Sequence, residues 1–198
     1  MSKQALDRVM TALNGKNELL MKKKIISLGK NYTVTDREDN VLCFVRLKAG
    51  SNIAGRLVSD YMGKWMARGM NYTYTVHDAD DQEALKIIKG NGTWSSNFNV
   101  VEPEEQQMIG LIQLKRSFLV GGMKAQWVNP SSNQVELSTQ GNVIRRKYRM
   151  IDPSGAEVAS VRHKIAAIRD TWNLEVHSGQ HNLHAVVFAT ILDFEKEM

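Results

Sequence analysis

Three aspartates occupy the same position in a pattern that occurs three times in this chain. The pattern is tyrosine, any residue, an apolar residue, any residue and aspartate, at residues 32–36, 74–78 and 148–152. Carboxylates can act as general acids or bases in catalysis. The same residue at the end of three strands is better explained by turn formation, because an aspartate side chain accepts hydrogen bonds from the following turn. We therefore interpret Asp36, Asp78 and Asp152 as turn residues.

Three histidines near the C-terminus, His177, His181 and His184, could converge on a metal ion. A loop at Gly179 and a predicted helix start separate them, and no carboxylate or thiolate joins them at the spacing of a metal site. The acidic segment 78–83 lacks the sixth-position glycine of a calcium loop. The sequence contains no cofactor fingerprint, phosphate-binding glycine loop or series of nucleophile and base. We expect neither a metal nor a cofactor, and a protein that is not an enzyme.

The strongest candidate for a binding site is a basic hairpin predicted over residues 143–165. Alternation at period two turns Tyr148 and Met150 inward and the basic residues outward. If the apolar pattern sets the register, Arg145 lies almost opposite Arg162, and such like-charge pairs cost about 0.2 to 1 kcal/mol. The outward residues are Arg145, Lys147, Arg149, Ser160, Arg162 and Lys164, and Lys115 and Arg116 add positive charge elsewhere in the sequence.

These cations, without an acid on the same face of the hairpin, predict an anionic partner. A membrane surface that carries phosphoinositide fits such a patch, because each nearby Lys or Arg contributes about 1 kcal/mol to binding. Nucleic acid fits it electrostatically too, but no base-reading element or aromatic-rich strand accompanies the charges. The alternative is a solvated basic face that acids from other strands partly neutralise. The formal net charge of +5 favours an anionic partner only weakly.

Most of the chain that positions these residues has the alternating pattern of short strands. The N-terminal segment has helical spacing up to Leu13, and so does the segment 57–70. A dozen or so antiparallel strands with short turns indicate a sandwich or a barrel. Besides the three repeated strands, we predict strands at 41–47, 84–88, 95–101, 107–114, 118–128, 134–138, 158–165 and 171–177.

The C-terminal segment 183–194 decides between these two architectures. It is apolar on every side of a helical wheel, as a buried helix is, and a twelve-residue helix of roughly 18 Å is too short to span a bilayer. A barrel of about twelve strands has room for such a helix. We therefore predict a mainly β fold, a closed antiparallel barrel around a buried C-terminal helix, with a short N-terminal helix. The helix residues predicted to fill the barrel are Leu183, Val186, Val187, Phe188, Ile191 and Leu192.

Length and composition indicate one compact domain. The chain has 198 residues, 42% of them hydrophobic, and only three prolines. We divide it into an N-terminal helical extension, residues 1–20, and a barrel domain, residues 21–198. The single cysteine, Cys43, excludes an internal disulfide and is expected to be buried and inert. No secretion signal precedes the domain, so we expect a cytoplasmic protein that reaches a membrane, if at all, peripherally.

Four stretches of the chain resemble the LURP-one-related family, within the wider group of Tubby C-terminal-like domains and phospholipid scramblases. They are residues 24–36, 107–110, 148–159 and 168–176, and the resemblance extends from residue 22 to residue 194. The resemblance implies a closed barrel of twelve strands around a buried C-terminal helix. It also implies roles from phosphoinositide binding and transcription to lipid scrambling, so the fold alone does not choose a function.

Our leading hypothesis is a non-enzymatic binding module that docks on anionic phospholipid or phosphoinositide head groups through a basic barrel face. The alternative is a protein-interaction scaffold or a nucleic-acid-associated factor that uses the same surface. A lipid scramblase is a third hypothesis, and it would require a membrane-embedded element that we do not find in the sequence.

Overall fold

The computed structural model shows a closed barrel of twelve antiparallel strands, in which each strand pairs with the next and the first pairs with the last. It describes residues 2–23, 31–48, 72–90, 95–117, 122–142, 147–165 and 170–197. Helix α1 (Ser2–Leu13) precedes the barrel, and a short 3-10 turn (Gly179–His181) leads into helix α2 (Asn182–Glu197). The predicted fold class is confirmed. The strands are β1 (Glu18–Lys23), β2 (Asn31–Thr35), β3 (Val41–Leu47), β4 (Thr73–His77), β5 (Glu83–Lys89), β6 (Ser95–Val101), β7 (Met108–Ser117), β8 (Gly122–Val128), β9 (Val135–Asn142), β10 (Lys147–Ile151), β11 (Glu157–Ile165) and β12 (Asp170–Val176).

Two differences from the predicted strands bear on the candidate site. Strand β1 was not predicted, because Leu20 faces outward between the buried residues Leu19 and Met21 and hides the alternation. Strand β7 continues to Ser117, so Lys115 lies within a strand and not in the connection that follows it. The predicted helix at 57–70 lies outside the described residues.

The three repeated aspartates all begin hairpin turns, as predicted. Each side chain accepts hydrogen bonds from backbone N–H groups two to four residues further on, at 2.8–3.0 Å. The fourth residue of each turn has positive φ, and each hairpin contains a bulge in the strand register. This is the arrangement of a type I turn followed by a bulge. The residues with positive φ are Asp39, Asp81 and Gly155.

Helix α2 fills the interior of the barrel. All six predicted core residues are buried: Leu183 is 6% exposed and the other five are fully buried. Trp127 of β8 packs its indole edge-on against His184 and Phe188 of the helix, with ring centroids 4.4 and 6.3 Å apart. The predicted central helix is therefore confirmed, and the buried indole of Trp127 packs it against the sheet.

A buried carboxylate, Asp193, joins the helix to two strands. Tyr32 of β2 donates its hydroxyl hydrogen to one carboxylate oxygen at 2.5 Å, and the indole N–H of Trp172 on β12 donates to the other at 2.9 Å. Asp193 is fully buried. Burial of a carboxylate without partners would be costly, so these two donors explain how a charged residue type is tolerated inside the barrel.

Helix α1 covers the end of the barrel where the turns that begin at Asp36, Asp78 and Asp152 lie, which we call the turn end. Its residues Ala5, Val9 and Leu13 are buried in the core cluster. Arg8 forms a hydrogen-bonded ion pair with Asp78 at 2.6–2.7 Å. A second pair, from Lys16 to the Asp36 turn at 2.9 Å, holds the segment between α1 and β1 on the same end.

We predict that truncation before Leu183 gives no folded protein, because it removes the apolar side chains that fill the barrel. Burial of the eight apolar side chains of α2 that the described residues show buried contributes roughly 10 to 20 kcal/mol, comparable with the net stability of a whole domain. Circular dichroism during heating tests this. A cooperative thermal transition of the truncated chain would contradict the prediction.

We predict that Gly110→Ala destabilises the protein by about 1 to 3 kcal/mol through overpacking. A Cβ atom at Gly110 would lie under 3.0 Å from three ring atoms of Trp127, which is buried and held by the central helix. Gly90→Ala is the matched control, because its Cβ would meet only a backbone oxygen at 3.6 Å. Urea unfolding of both variants measures the difference, and equal midpoints would contradict it.

We also predict that stability falls as the pH drops below about 4. The hydrogen bond from Lys16 lowers the pKa of Asp36. At Asp78 burial raises the pKa, but hydrogen bonds from the backbone and from Arg8 outweigh this and the pKa is lowered. A carboxylate with a lowered folded pKa stabilises the fold above its unfolded value, about 3.9, and this contribution is lost as the pH falls towards the folded pKa.

Urea midpoints measured from about pH 6 to about pH 2.5 test this for the wild type and for Asp36→Asn. Asparagine keeps an oxygen that accepts the backbone hydrogen bonds and loses the charge. The variant should therefore depend less steeply on pH below about pH 4. Identical slopes for the two proteins would show that the Lys16 pair does not contribute.

Candidate anion-binding surface

The predicted basic hairpin corresponds to strands β10 and β11, and its inward and outward faces are as the alternation predicts. Tyr148 and Met150 on β10 are buried, as are Ala159 and Val161 on β11. Arg145 and the rest of segment 143–146 lie outside the described residues. The exposed outward cations of the hairpin are Lys147, Arg149, Arg162 and Lys164.

The register of the hairpin differs from the prediction. Arg162 lies opposite Lys147, and not almost opposite Arg145. Two features cause the difference. Ile151 pairs with Glu157, so the connection has five residues and not four, and the bulge between Met150 and Ile151 adds one more residue to the offset. The shift is by two residues, so the faces stay the same while the cationic partner of Arg162 changes.

The expectation of a face without acids is wrong for one end of the hairpin. Glu157 approaches Arg149, with the guanidinium nitrogen 3.9 Å from the carboxylate oxygen. Glu175 of β12 accepts a hydrogen bond from the hydroxyl of Ser160 at 3.2 Å, and Ser160 is only 3% exposed although it lies on the outward face. The charge of Arg149 is therefore partly compensated, and Ser160 does not contribute to an exposed surface.

Towards the other end of the hairpin the positive charges are less compensated. Within the described ranges, no acid forms an ion pair with Lys147 or Arg162, which face each other across the strands. Lys164 lies near Glu18. The hydrogen bond from Arg37 is the main cause that lowers the pKa of Glu18, and the positive charge of Lys164 lowers this pKa further. Lys147 and Arg162 thus form a pair of like charges on the barrel wall.

A second pair of like charges lies on the neighbouring hairpin. Lys115 of β7 is directly opposite Lys124 of β8, and both side chains are exposed. Neither lysine forms an ion pair with an acid in the part of the chain that the structure describes. Lys124 was not predicted as a site residue, because the Gly121-Gly122 dipeptide, taken as a two-residue hairpin turn, would have placed it opposite Leu119 and not opposite Lys115.

Arg116 pairs with Met123 in the same hairpin. Its backbone belongs to β7, and its side chain lies outside what the structure describes.

Strand β9 lies between the two pairs. Its outward residue Gln140 is opposite Arg149, and Asn142 is opposite Lys147. On its other side Asn142 is opposite Gly122, so the register places Gln140 level with Lys124. We call the outward cations on either side of β9 the cationic band. Its members are Lys115, Lys124, Lys147, Arg162 and Lys164, with Arg149 as a partly neutralised neighbour.

The histidines of the C-terminal region do not form a cluster of metal ligands. Among the described residues, no group of three or more histidine, cysteine or acidic side chains could hold a metal ion. His184 is held in the barrel beside Trp127, and burial lowers its pKa to about 4. His177 lies 3.7 Å from Glu157. His184 is therefore neutral near pH 7, and its packing accounts for its position.

The single cysteine, Cys43, is fully buried. Burial raises the pKa of its thiol to about 12, so the thiol is unreactive at neutral pH.

Among the described residues, no helix combines the length and the apolar character needed to cross a bilayer.

Comparison with known proteins places the chain in a family. The sequence model of the LURP-one-related family matches residues 17–193, which include all twelve strands and most of the central helix. No curated protein and no solved structure matches the chain. The match covers far more than half of the chain and confirms the resemblance: the protein belongs to the LURP-one-related family.

Proposed function

We propose that this domain is a non-enzymatic binding module that docks on anionic phospholipid or phosphoinositide head groups through its cationic band. The observation that carries the proposal is the pair Lys147 and Arg162, which face each other on adjacent strands. No acid in the described ranges forms an ion pair with either residue. An anionic ligand would compensate both charges at once.

The energetics of the sheet support this interpretation. Like charges directly opposite each other on a sheet destabilise it by about 0.2 to 1 kcal/mol per pair. The cationic band contains two such pairs, Lys147 with Arg162 and Lys115 with Lys124. A protein that only needed solubility would gain more from alternating charges. An anionic surface close to both pairs would offset this cost and contribute about 1 kcal/mol for each cation.

The composition of the same face favours lipid over nucleic acid. The aromatic residues of β8 and β10, Trp127 and Tyr148, point into the barrel and are buried. Single-stranded nucleic acid is bound largely by stacking of bases on exposed aromatic side chains. The two pairs expose only Lys and Arg, and Gln140 between them is neutral, while the exposed acids of β9 and β11, Glu136 and Glu157, lie towards the turn end of these strands. The exposed Lys and Arg side chains suit head-group phosphates, which need charge and hydrogen-bond donors.

Liposome co-sedimentation tests the proposal, with phosphatidylcholine vesicles that contain or lack phosphoinositide. We expect the wild type to bind only the anionic vesicles. The double variant Lys147→Gln with Arg162→Gln should bind them about thirtyfold more weakly, because it loses two cations worth about 1 kcal/mol each. Failure of the wild type to bind either vesicle at low salt would remove the proposal.

A matched control separates the site from the net charge. The variant Lys3→Gln with Arg37→Gln also loses two cations, but from α1 and from the β2–β3 turn at the turn end. It should bind as the wild type does. Thermal melts complete the test: Lys147→Gln with Arg162→Gln should be at least as stable as the wild type, because a repulsive pair is removed. A binding loss that tracks instability would indicate a structural role instead.

A further inference from the structure

We infer that the lipid-binding surface is centred on β9 and has two separate anion-binding sites, which we call seats, one on each side of this strand. Its ligand is therefore an extended anionic lipid surface and not a single head group. This inference rests on the proposed function and extends it. The first seat is the pair Lys115 and Lys124, and the second is the pair Lys147 and Arg162. The intervening strand β9 presents the neutral residue Gln140.

The distance between the seats follows from the strand register. The middle of the first pair lies between β7 and β8, and the middle of the second lies between β10 and β11. Three strand spacings separate them, about 14 Å across the sheet. The second pair is also offset along the strands by two residues, since Lys147 is level with Asn142 and Lys124 with Gln140, which adds about 7 Å. Two phosphates carried by one six-membered ring lie closer together than the two pairs of cations do.

The curvature of the barrel keeps the seats apart. Twelve strands share the full circumference, so each step turns the outward direction by about 30° and three steps turn it by about 90°. The side chains of the two pairs therefore diverge and cannot close around one small anion. Within each pair the side chains are neighbours on adjacent strands, so each pair is suited to one phosphate or carboxylate group.

A flat surface that touches the barrel at β9 reaches both seats. A barrel of twelve strands has a radius of roughly 12 Å, so the wall falls away from a tangent plane by about 3 to 4 Å at each pair. This gap is shorter than an extended lysine side chain, so cations of both pairs can contact the plane. Lys164 lies on the same outer row as Arg162 and adds charge at one margin of this face.

The sequence-based prediction centred the site on the 143–165 hairpin and added Lys115 and Arg116 as further positive charge, whereas the β9-centred surface makes β7 and β8 equal contributors. The difference can be measured with two charge-matched variants. One is Lys115→Gln with Lys124→Gln, and the other is Lys147→Gln with Arg162→Gln. Both remove two exposed cations from the barrel wall, and the control Lys3→Gln with Arg37→Gln removes two from the turn end.

The experiment measures binding to phosphatidylcholine vesicles with a fixed fraction of phosphoinositide, at several salt concentrations. We expect each of the two pair variants to lose about thirtyfold in partition coefficient, and the four-site variant about a thousandfold. The free inositol phosphate head group of the same lipid should compete poorly, because it can occupy only one seat at a time. Vesicles with phosphatidylserine at equal surface charge should bind comparably.

The outcomes separate this inference from the proposed function. If the wild type binds and Lys115→Gln with Lys124→Gln binds equally well, the site is the β10–β11 hairpin alone and the inference fails while the proposed function stands. Efficient competition by the free head group would likewise show a single closed seat. If the wild type binds no anionic vesicle, the proposed function itself fails. Displacement from vesicles by duplex DNA at equal phosphate concentration would indicate a nucleic-acid surface instead and would overturn the inference.

Discussion

A closed sheet of twelve strands encloses more space than its own side chains fill, so the apolar helix α2 has to occupy the interior. The helix contributes residues such as Val187 and Phe188 that are fully buried and touch the wall from within. Asp193 then binds Tyr32 of β2 and Trp172 of β12, on either side of β1, which closes the sheet. One buried helix thus fills the barrel and holds the strands beside its closure, and the register of the closed sheet then places the outward residues.

Closure of the sheet also determines where function can lie. A closed barrel has no free strand edges, and its interior is taken by the helix, so ligands are left with the outer wall and the two ends. Helix α1 covers the turn end, with Ala5 and Val9 buried and Arg8 paired to Asp78. On the wall, residues that are distant in sequence become neighbours through the register. The cationic band is such a surface, because it joins two hairpins across β9.

Periodicity was sufficient for most of the fold, since a buried face and a solvated face leave a plain signal in a strand. The strand at 95–101 was predicted with the bounds that the structure shows. Strand β1 was missed because three consecutive apolar residues, Leu19 to Met21, conceal the alternation. In the candidate site, the outward direction of Lys147 and Arg162 was predicted correctly, whereas their direct pairing was not. The length of the connection and the bulge, which together determine this pairing, depend on backbone geometry in the turn, which no alternation pattern reveals.

The sequence by itself determined the composition of the two faces of each strand, the buried character of the central helix and the turns at Asp36, Asp78 and Asp152. These are local properties, because they depend on side-chain type and spacing along one segment. Only the tertiary structure decided which cations meet. Lys115 and Lys124 become a pair, and β9 comes to lie between that pair and the next, because strand register and barrel closure couple segments that are far apart in the chain.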